Sequence, residues 1–386
     1  MTDADPTPQP APGAEPARFP CPSCGSEMRY SPATDRLTCP YCGATAPAPE
    51  SARTASDPWG ADPAPALAEQ DFAAAVAELR ARASSAETEE TRIAQCTSCG
   101  AAITFEPDIH ATQCPFCASP VVADTGPSRH IKPQGVLPFL IGEREARAAM
   151  QRWLDSLWFA PSGLKRFARA GRPMQGIYAP YWTYDARTES DYRGARGDAY
   201  YVTRTATVNG KRQMRRERRI RWTPRRGRVS RFFDDVLVLA SRSLPRKYAD
   251  RLAPWDLSAL EPYDPQYLAG FRAEAYTVDV EEGFAEARRI MDAQIRQDVR
   301  RDIGGDEQRI DAISTRISDV TFKHILLPVW LSAYRYRGKV YRFIVNARTG
   351  EVQGERPWSA GKIALAVLAG LVLAAAIGWL VIRQQG

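Results

Sequence analysis

A multidomain chain is predicted: two small β-type ribbons, an α+β domain with a strand–helix–strands repeat, and one C-terminal transmembrane helix. Three observations carry that expectation. All eight cysteines of the 386-residue chain fall into two copies of one pattern. Ile363 to Ile382 is a run of twenty residues without a charge, bounded by Lys362 and Arg383. Between these features, 128–359 is dense in aromatic residues and alternates like strands.

The first eighteen residues are rich in Pro and Ala and lack the apolar run of a signal peptide, so they read as a disordered tail. The first ribbon follows at 19–46. Cys21 and Cys24 are two residues apart, and fourteen residues later come Cys39 and Cys42 at the same spacing. The second ribbon, at 93–121, repeats this with Cys96, Cys99, Cys114 and Cys117. Each set offers four thiolates from two tight turns, the donor set of a closed tetrahedral zinc site, so two structural zinc ions are expected per chain. Gly25, Gly43 and Gly100 follow second thiolates, and Pro22, Pro40 and Pro115 follow first ones, as tight turns require. Disulfide frameworks do not repeat such a spacing, and His110, inside the second ribbon, is not needed as a ligand. Four sulfur ligands leave no open coordination position, so the sites are structural rather than catalytic. The segment 47–66 is a Pro/Ala-rich linker, and 67–90 holds a spacer helix on which Leu67, Phe72, Val76 and Leu79 share one side.

The α+β domain, 128–359, divides into halves at about 130–235 and 270–358. Val136 to Ile141 reads as a strand leading into a helix with Glu145, Ala146, Arg147 and Met150. Tyr276 to Val280 reads the same way before Glu286, Ala287, Arg288 and Met291. After the helices, Pro180-Tyr181-Trp182 and Pro328-Val329-Trp330 each open a strand. The final hairpin, Lys339 to Val352, turns through Asn346 to Gly350.

Asn209-Gly210 is a hairpin turn joining Tyr200–Val208 to Lys211–Trp222. From Lys211 to Arg231 there are eleven Lys/Arg and one acid, Glu217; the segment is +10 while the chain is +7, so the rest is −3. Alternation puts Arg216 and Arg218 on one face and Arg215 and Arg219 on the other. Three readings stay open for these four: a solvated face, anionic lipid, or an acidic protein or nucleic acid.

The twenty-residue apolar run is long enough for a ~30 Å hydrocarbon core, and Trp358 and Trp379 stand near its two ends. It is expected to act as a tail anchor over 362–383. Arg342, Arg348, Arg356 and Lys362 precede it and Arg383 alone lies beyond it among the cations, which keeps the bulk of the chain in the cytoplasm as a single-pass protein of the cytoplasmic membrane. Ala366, Gly370, Ala374 and Gly378 recur every four residues and share a face. Such a stripe fits close helix–helix contact and a homo-oligomer, or follows from alanine-rich composition alone.

The sequence has no P-loop, no nucleophile elbow and no paired metal-binding histidine motif. His130 and His324 stand alone in apolar surroundings and read as packing residues, and Asp234-Asp235 as turn and edge polar groups. No enzyme is expected.

The two ribbons are accompanied by Gly176-Ile177-Tyr178-Ala179-Pro180-Tyr181-Trp182, Phe233-Asp234-Asp235-Val236-Leu237-Val238, Leu268-Ala269-Gly270-Phe271, Phe322-Lys323-His324-Ile325-Leu326-Leu327-Pro328-Val329-Trp330 and Gly354-Glu355-Arg356-Pro357. With these segments the chain resembles bacterial membrane proteins carrying TFIIB-type zinc ribbons, often labelled primosomal protein N′-like or helicase-like. The resemblance implies partners of the SPFH (flotillin-like) and phage-shock-protein-A-like classes, and a role in membrane organisation or envelope stress. It carries no helicase activity over, because the motor motifs are missing. A zinc-binding membrane scaffold is therefore expected. The alternative is a membrane-tethered nucleic-acid-binding protein of replication or transcription. The ribbons argue against that alternative: Cys21–Cys42 balances Arg29 and Arg36 with Glu27 and Asp35, and Cys96–Cys117 holds no Lys or Arg.

Overall fold

The computed structural model describes residues 19–26, 28–47, 67–84, 91–95, 102–104, 111–113, 120–122, 126–128, 131–161, 174–208, 211–336 and 339–385. The expected tail at 1–18, most of the linker, the Asn209-Gly210 turn, His110, His130 and the second set of cysteines lie outside these residues. The described part is mostly β with several helices.

Strands β1 (Arg29–Ser31), β2 (Arg36–Thr38) and β3 (Thr45–Pro47) form a three-stranded antiparallel sheet in chain order. Strand β4 (Gln70–Asp71) leads into helix α1 (Phe72–Ser84). In the region of the second ribbon, β5 (Thr91–Gln95) pairs with β6 (Ala102–Thr104) and with β9 (Gly126–Ser128). There too, β7 (Ala111–Gln113) pairs with β8 (Pro120–Val122).

The main sheet is built on three long strands, β11 (Gln175–Val208), β12 (Lys211–Leu239) and β15 (Glu307–Tyr336). Strand β11 is central and runs antiparallel to both others. The far edge of β15 is taken in succession by β4, by β10 (Gly135–Val136) and by β16 (Lys339–Asn346). Short strands β13 (Glu261–Pro262), β14 (Arg272–Ala273) and β17 (Val352–Gly354) complete the sheet. Helix α2 (Glu143–Ser156) precedes β11, α3 (Arg246–Ala249) follows β12, α4 (Val280–Ile303) precedes β15, and α5 (Ala360–Gln385) comes last.

Helix α2 precedes the long strands β11 and β12, and α4 precedes the long strand β15 and the eight-residue β16. The motifs expected to open strands lie inside them instead: β11 begins at Gln175 and β15 at Glu307, so Pro180-Tyr181-Trp182 and Pro328-Val329-Trp330 fall within the two strands, where Tyr178 pairs with Pro328 and Gly176 with Trp330. The strand expected at Tyr276 to Val280 is not one. Asp279 accepts the Glu282 N–H and caps α4, so the helix already begins at Val280. The strand expected over Val136 to Ile141 is only Gly135–Val136. Helix α1 is not a free spacer either. Phe72 packs on Phe284 at 4.6 Å and meets Tyr184 and Phe322 edge-on, because its apolar side finds the same cluster that α4 covers.

Helix α4 buries Val280, Gly283, Ala287, Met291, Ile295, Val299 and Ile303, a stripe at helical spacing, against Trp182, Tyr184, Phe233 and Phe322. Glu281 and Glu282 lie in its first turn and Arg300 and Arg301 in its last, matching the helix dipole. The long strands follow this helix by bulging. Asp234 and Asp235 face the single residue Asp185, and Asp319 and Val320 face Ala186. Asp235 and Asp319 take φ of 51° and 52°, a left-handed conformation that aspartate tolerates.

Helix α5 stands apart from this core. Its Ala360–Trp379 segment has a mean hydropathy of 2.2 and is 0% buried, so it is long and apolar enough to cross a membrane. Its root is fixed: Ser359 N–H donates to Phe159 O at 2.8 Å, and Lys362 Nζ donates to Trp158 O and Ala160 O. The Ala366, Gly370, Ala374, Gly378 face is open; no atom lies within 4 Å of where a Cβ would stand at Gly370 or Gly378.

Candidate metal centre, acid–lysine cluster and cationic arm

The first cysteine set converges. Gly25 N–H donates to Cys21 O at 2.8 Å and Gly43 N–H to Cys39 O at 3.0 Å, closing two like turns. Gly25 and Gly43 take φ of 73° and 74°, which explains the glycine after each second thiolate. The turns bring Cys21 Sγ to 3.5 Å from Cys42 Sγ, and Cys24 Sγ to 3.5 Å from Cys39 Sγ. All four sulfurs lie within 4.8 Å of one another. A disulfide needs about 2.05 Å, so these are free thiols, whereas a tetrahedron with Zn–S of about 2.3 Å has edges of about 3.8 Å. The residues therefore fit one four-coordinate ion of zinc type. The Ser26 backbone N–H, with its side chain, lowers the Cys24 thiol to about 6. At Cys42 the Ala44 N–H also lowers, but the sulfurs of Cys21, Cys24 and Cys39 outweigh it and push the thiol up to about 12. Four crowded sulfurs hold their protons unevenly until a cation takes them as thiolates.

This ribbon is not a loose bead. Tyr30 donates its backbone N–H to Ala269 O at 2.9 Å and sets its ring edge-on to Tyr267 at 5.5 Å. Cys21, Met28, Tyr30, Leu37 and Cys39 share one core cluster with Phe139, Tyr178 and Trp330. Cys96, Cys99, Cys114 and Cys117 lie outside the described residues.

A second cluster lies midway along the sheet. Lys323 Nζ, nearly buried, stands 3.0 Å from Asp235 Oδ1, 3.2 Å from Glu69 Oε1 and 3.7 Å from Asp185 Oδ2. Asp185 is 1% exposed and accepts the Asp235 N–H, and Thr321 Oγ1 donates to Glu69 at 2.6 Å. Burial pushes the Asp185 carboxyl up to about 6, with Glu69 adding to the rise and the Asp235 N–H and Lys323 opposing it. The Asp234-Asp235 pair does not diverge as plain strand residues would: the bulge brings a carboxylate oxygen of each within 4.8 Å of the other and of one on Asp185, with Asp234 exposed and Asp235 half-buried. The bulge turns Asp235 inward to Lys323. Nothing in the residue pattern announced Asp185 or Glu69; their partner is 138 and 254 residues away. His324 is packed as expected: its ring lies 4.7 Å from that of Trp182, and Nδ1 is 2.8 Å from Ile131 O.

The basic hairpin is a two-stranded arm. Strand β15 starts opposite Gly197, while the β11–β12 ladder runs on to Val208 and Lys211. No residue from Met214 to Phe232 is buried. The register splits the four arginines as expected: Arg216 and Arg218 oppose Thr203 and Tyr201, and Arg215 and Arg219 oppose Arg204 and Tyr200. They are not equivalent. Arg218 Nη1 is 2.7 Å from Glu307 Oε1, Arg219 is 3.5 Å from Glu217, and Arg216 lies 4.6 Å over the Tyr201 ring. The arm also lies far from the root of α5. Ala160, which that root contacts, shares a core cluster with Met174, and Tyr200 is about 25 residues further along β11 from Met174, roughly 80 Å at ~3.3 Å per residue.

No family model matches the chain, and no solved structure matches it. The chain is 27% identical over 250 residues to the uncharacterized protein YdjG of Bacillus subtilis (strain 168), a match covering 61% of this chain and 67% of that protein.

Proposed function

We propose that this protein is a non-enzymatic scaffold, held on the cytoplasmic face of a membrane by α5, that presents its zinc ribbons and cationic arm to partners. The observation that carries the reading is the fully exposed apolar segment Ala360–Trp379, joined without a loose linker to a folded α+β domain. A helix of that composition has no stable place in water. The docked four-cysteine ribbon supports the second half of the proposal, since a closed thiolate site builds a surface rather than an active centre. Partners of the SPFH or phage-shock-protein-A-like classes, and work in membrane organisation or envelope stress, belong to the same reading through the resemblance of the sequence.

The test is fractionation of cells expressing the whole chain and a chain lacking 363–386. The whole chain is expected in the membrane pellet after carbonate washing and the shortened one in the soluble fraction. A shortened chain that still pellets completely would show the arm, not α5, to be the attachment and would sink this account.

A further inference from the structure

We propose that two copies of this chain pair through the β11 side of the arm, edge to edge and antiparallel, so that two hairpins make one four-stranded sheet.

Between Asp198 and Val208 the arm is a ladder of only two strands, with no third strand among the described residues. A lone two-stranded hairpin is marginal in water; three or more strands are needed for independent stability. The two open edges differ in kind. On β12, Lys211 to Arg221 carries seven cations against Glu217, so two such edges repel. On β11, Ala199 to Val208 reads Ala-Tyr-Tyr-Val-Thr-Arg-Thr-Ala-Thr-Val, with one charge, Arg204, and no Pro or Gly. That is a strand-forming edge with almost nothing to keep a copy away.

The structure also fixes which backbone groups are free. Asp306 N–H donates to Gly197 O, and Ala199 N–H donates to Asp306 Oδ2 at 2.7 Å, so odd-numbered residues point their amides away from β12. Thr203, Thr205 and Thr207 therefore offer outward N–H and C=O groups, while Tyr200, Val202 and Arg204 are bonded to β12. In a pair related by a two-fold axis through the sheet, odd residues face odd residues. An axis on Arg204 sets like charges opposite each other. An axis on Thr203 places Val208 of one copy opposite Asp198 of the other, the position Asp306 already fills. An axis on Thr205 avoids both: Thr205 faces its own copy, Thr203 faces Thr207, and Arg204 faces Ala206. The two arginine-rich β12 strands then lie three strand spacings apart, about 14 Å, beyond the ~8 Å Debye length of physiological salt.

Self-pairing needs no membrane and is independent of the scaffold proposal, so membrane release of the shortened chain would not bear on it. The test uses the whole chain in detergent, with mass from sedimentation and amide hydrogen exchange across a concentration series. Expected are a dimer and slow exchange at Thr203, Thr205 and Thr207 that appears only as the dimer forms. Thr205→Lys, which sets two like charges opposite each other on an exposed site, should raise the dissociation constant up to about fivefold; Thr205→Val should leave it unchanged. Three outcomes overturn the proposal: a monomer with fast exchange at these amides at every concentration, a dimer indifferent to Thr205→Lys, or a dimer lost with Gly370→Leu and Gly378→Leu and owed to α5 alone.

Discussion

Replacing Lys323 by Met removes the one cation that faces three carboxylates. Lys323 and Asp185 are 9% and 1% exposed, so the lost partner is not replaced by water. Breaking a buried pair from one side costs about 3–5 kcal/mol, because the remaining charge stays in a poor solvent. At roughly 2–4 °C per kcal/mol for a domain of this size, Tm should fall by about 6–20 °C. The loss must depend on pH. Asp185 has a folded pKa of about 6, above its unfolded value near 3.9, so the native state holds more protons between these limits. Its contribution to stability therefore improves as pH falls through 6 towards 4. Without Lys323 the carboxyl rises further, and the deficit should be larger at pH 7.5 than at pH 5. Glu69 is shifted the other way, downward, so its stabilisation is lost only on acidification below about 4. Asp185→Asn keeps an acceptor for the Asp235 N–H and, added to Lys323→Met, should recover much of the loss. Thermal unfolding followed by tryptophan fluorescence reads all of this, since Trp182 is fully buried beside His324. A Lys323→Met chain as stable as the parent, or equally weakened at both pH values, would refute the reasoning.

Metal analysis of reduced protein should give two zinc ions per chain, and Cys39→Ser should remove one of them; one ion or none in the parent would contradict the duplicated thiolate sets. Chelation should melt the ribbons while far-UV dichroism of the long sheet persists, because that sheet has its own core clusters. Gly283→Val should destabilise the chain by about 1–3 kcal/mol in urea titration, since a Cβ there would meet Tyr184 Oη at 2.4 Å and Trp182 at 2.7 Å. Glu69→Gln, at a carboxylate 40% exposed, should cost no more than about 1 kcal/mol by the same measurement.

What the sequence made legible were the features written in local chemistry. Cysteine spacing with its glycines led directly to the Cys21–Cys42 turns, whose geometry is set by a few neighbouring residues. The apolar run led to α5, because a helix of that hydropathy needs no context to be recognised. The basic hairpin is legible in its Asn209-Gly210 turn signal, and the faces of its arginines in strand alternation. The acid–lysine cluster did not, since it depends on two bulges that bring Asp185, Asp235 and Lys323 to one point from three strands. Asp234-Asp235 looks the same in a plain strand as in a bulge; only the left-handed turn at Asp235 distinguishes them, and that is set by the pairing. The packing of helix α1 is hidden for a like reason. Its apolar side was visible, but what it covers, Phe284 and Phe322, lies more than 200 residues along the chain.

The length of β11 decides how these parts can act together. Gly176, where Phe271 packs, lies in the half of the sheet whose core cluster also holds the first ribbon and Ala160 at the root of α5; Asp185 lies about 30 Å further on, and the arm begins opposite the start of β15. A membrane helix at one end of such a ribbon does not by itself bring the arm to the lipid. If the ribbon stands away from the bilayer, the arginines at 215–219 lie many Debye lengths from it and feel no headgroup attraction. If it lies flat, the face carrying Arg216 and Arg218 and the face carrying Arg215 and Arg219 cannot both touch the surface. Lipid binding through the arm therefore requires a lying ribbon and one face, so only one of the two pairs of substitutions should weaken binding to anionic vesicles. Equal weakening from both faces would mean that the partner wraps the hairpin, as a protein does and a flat membrane does not.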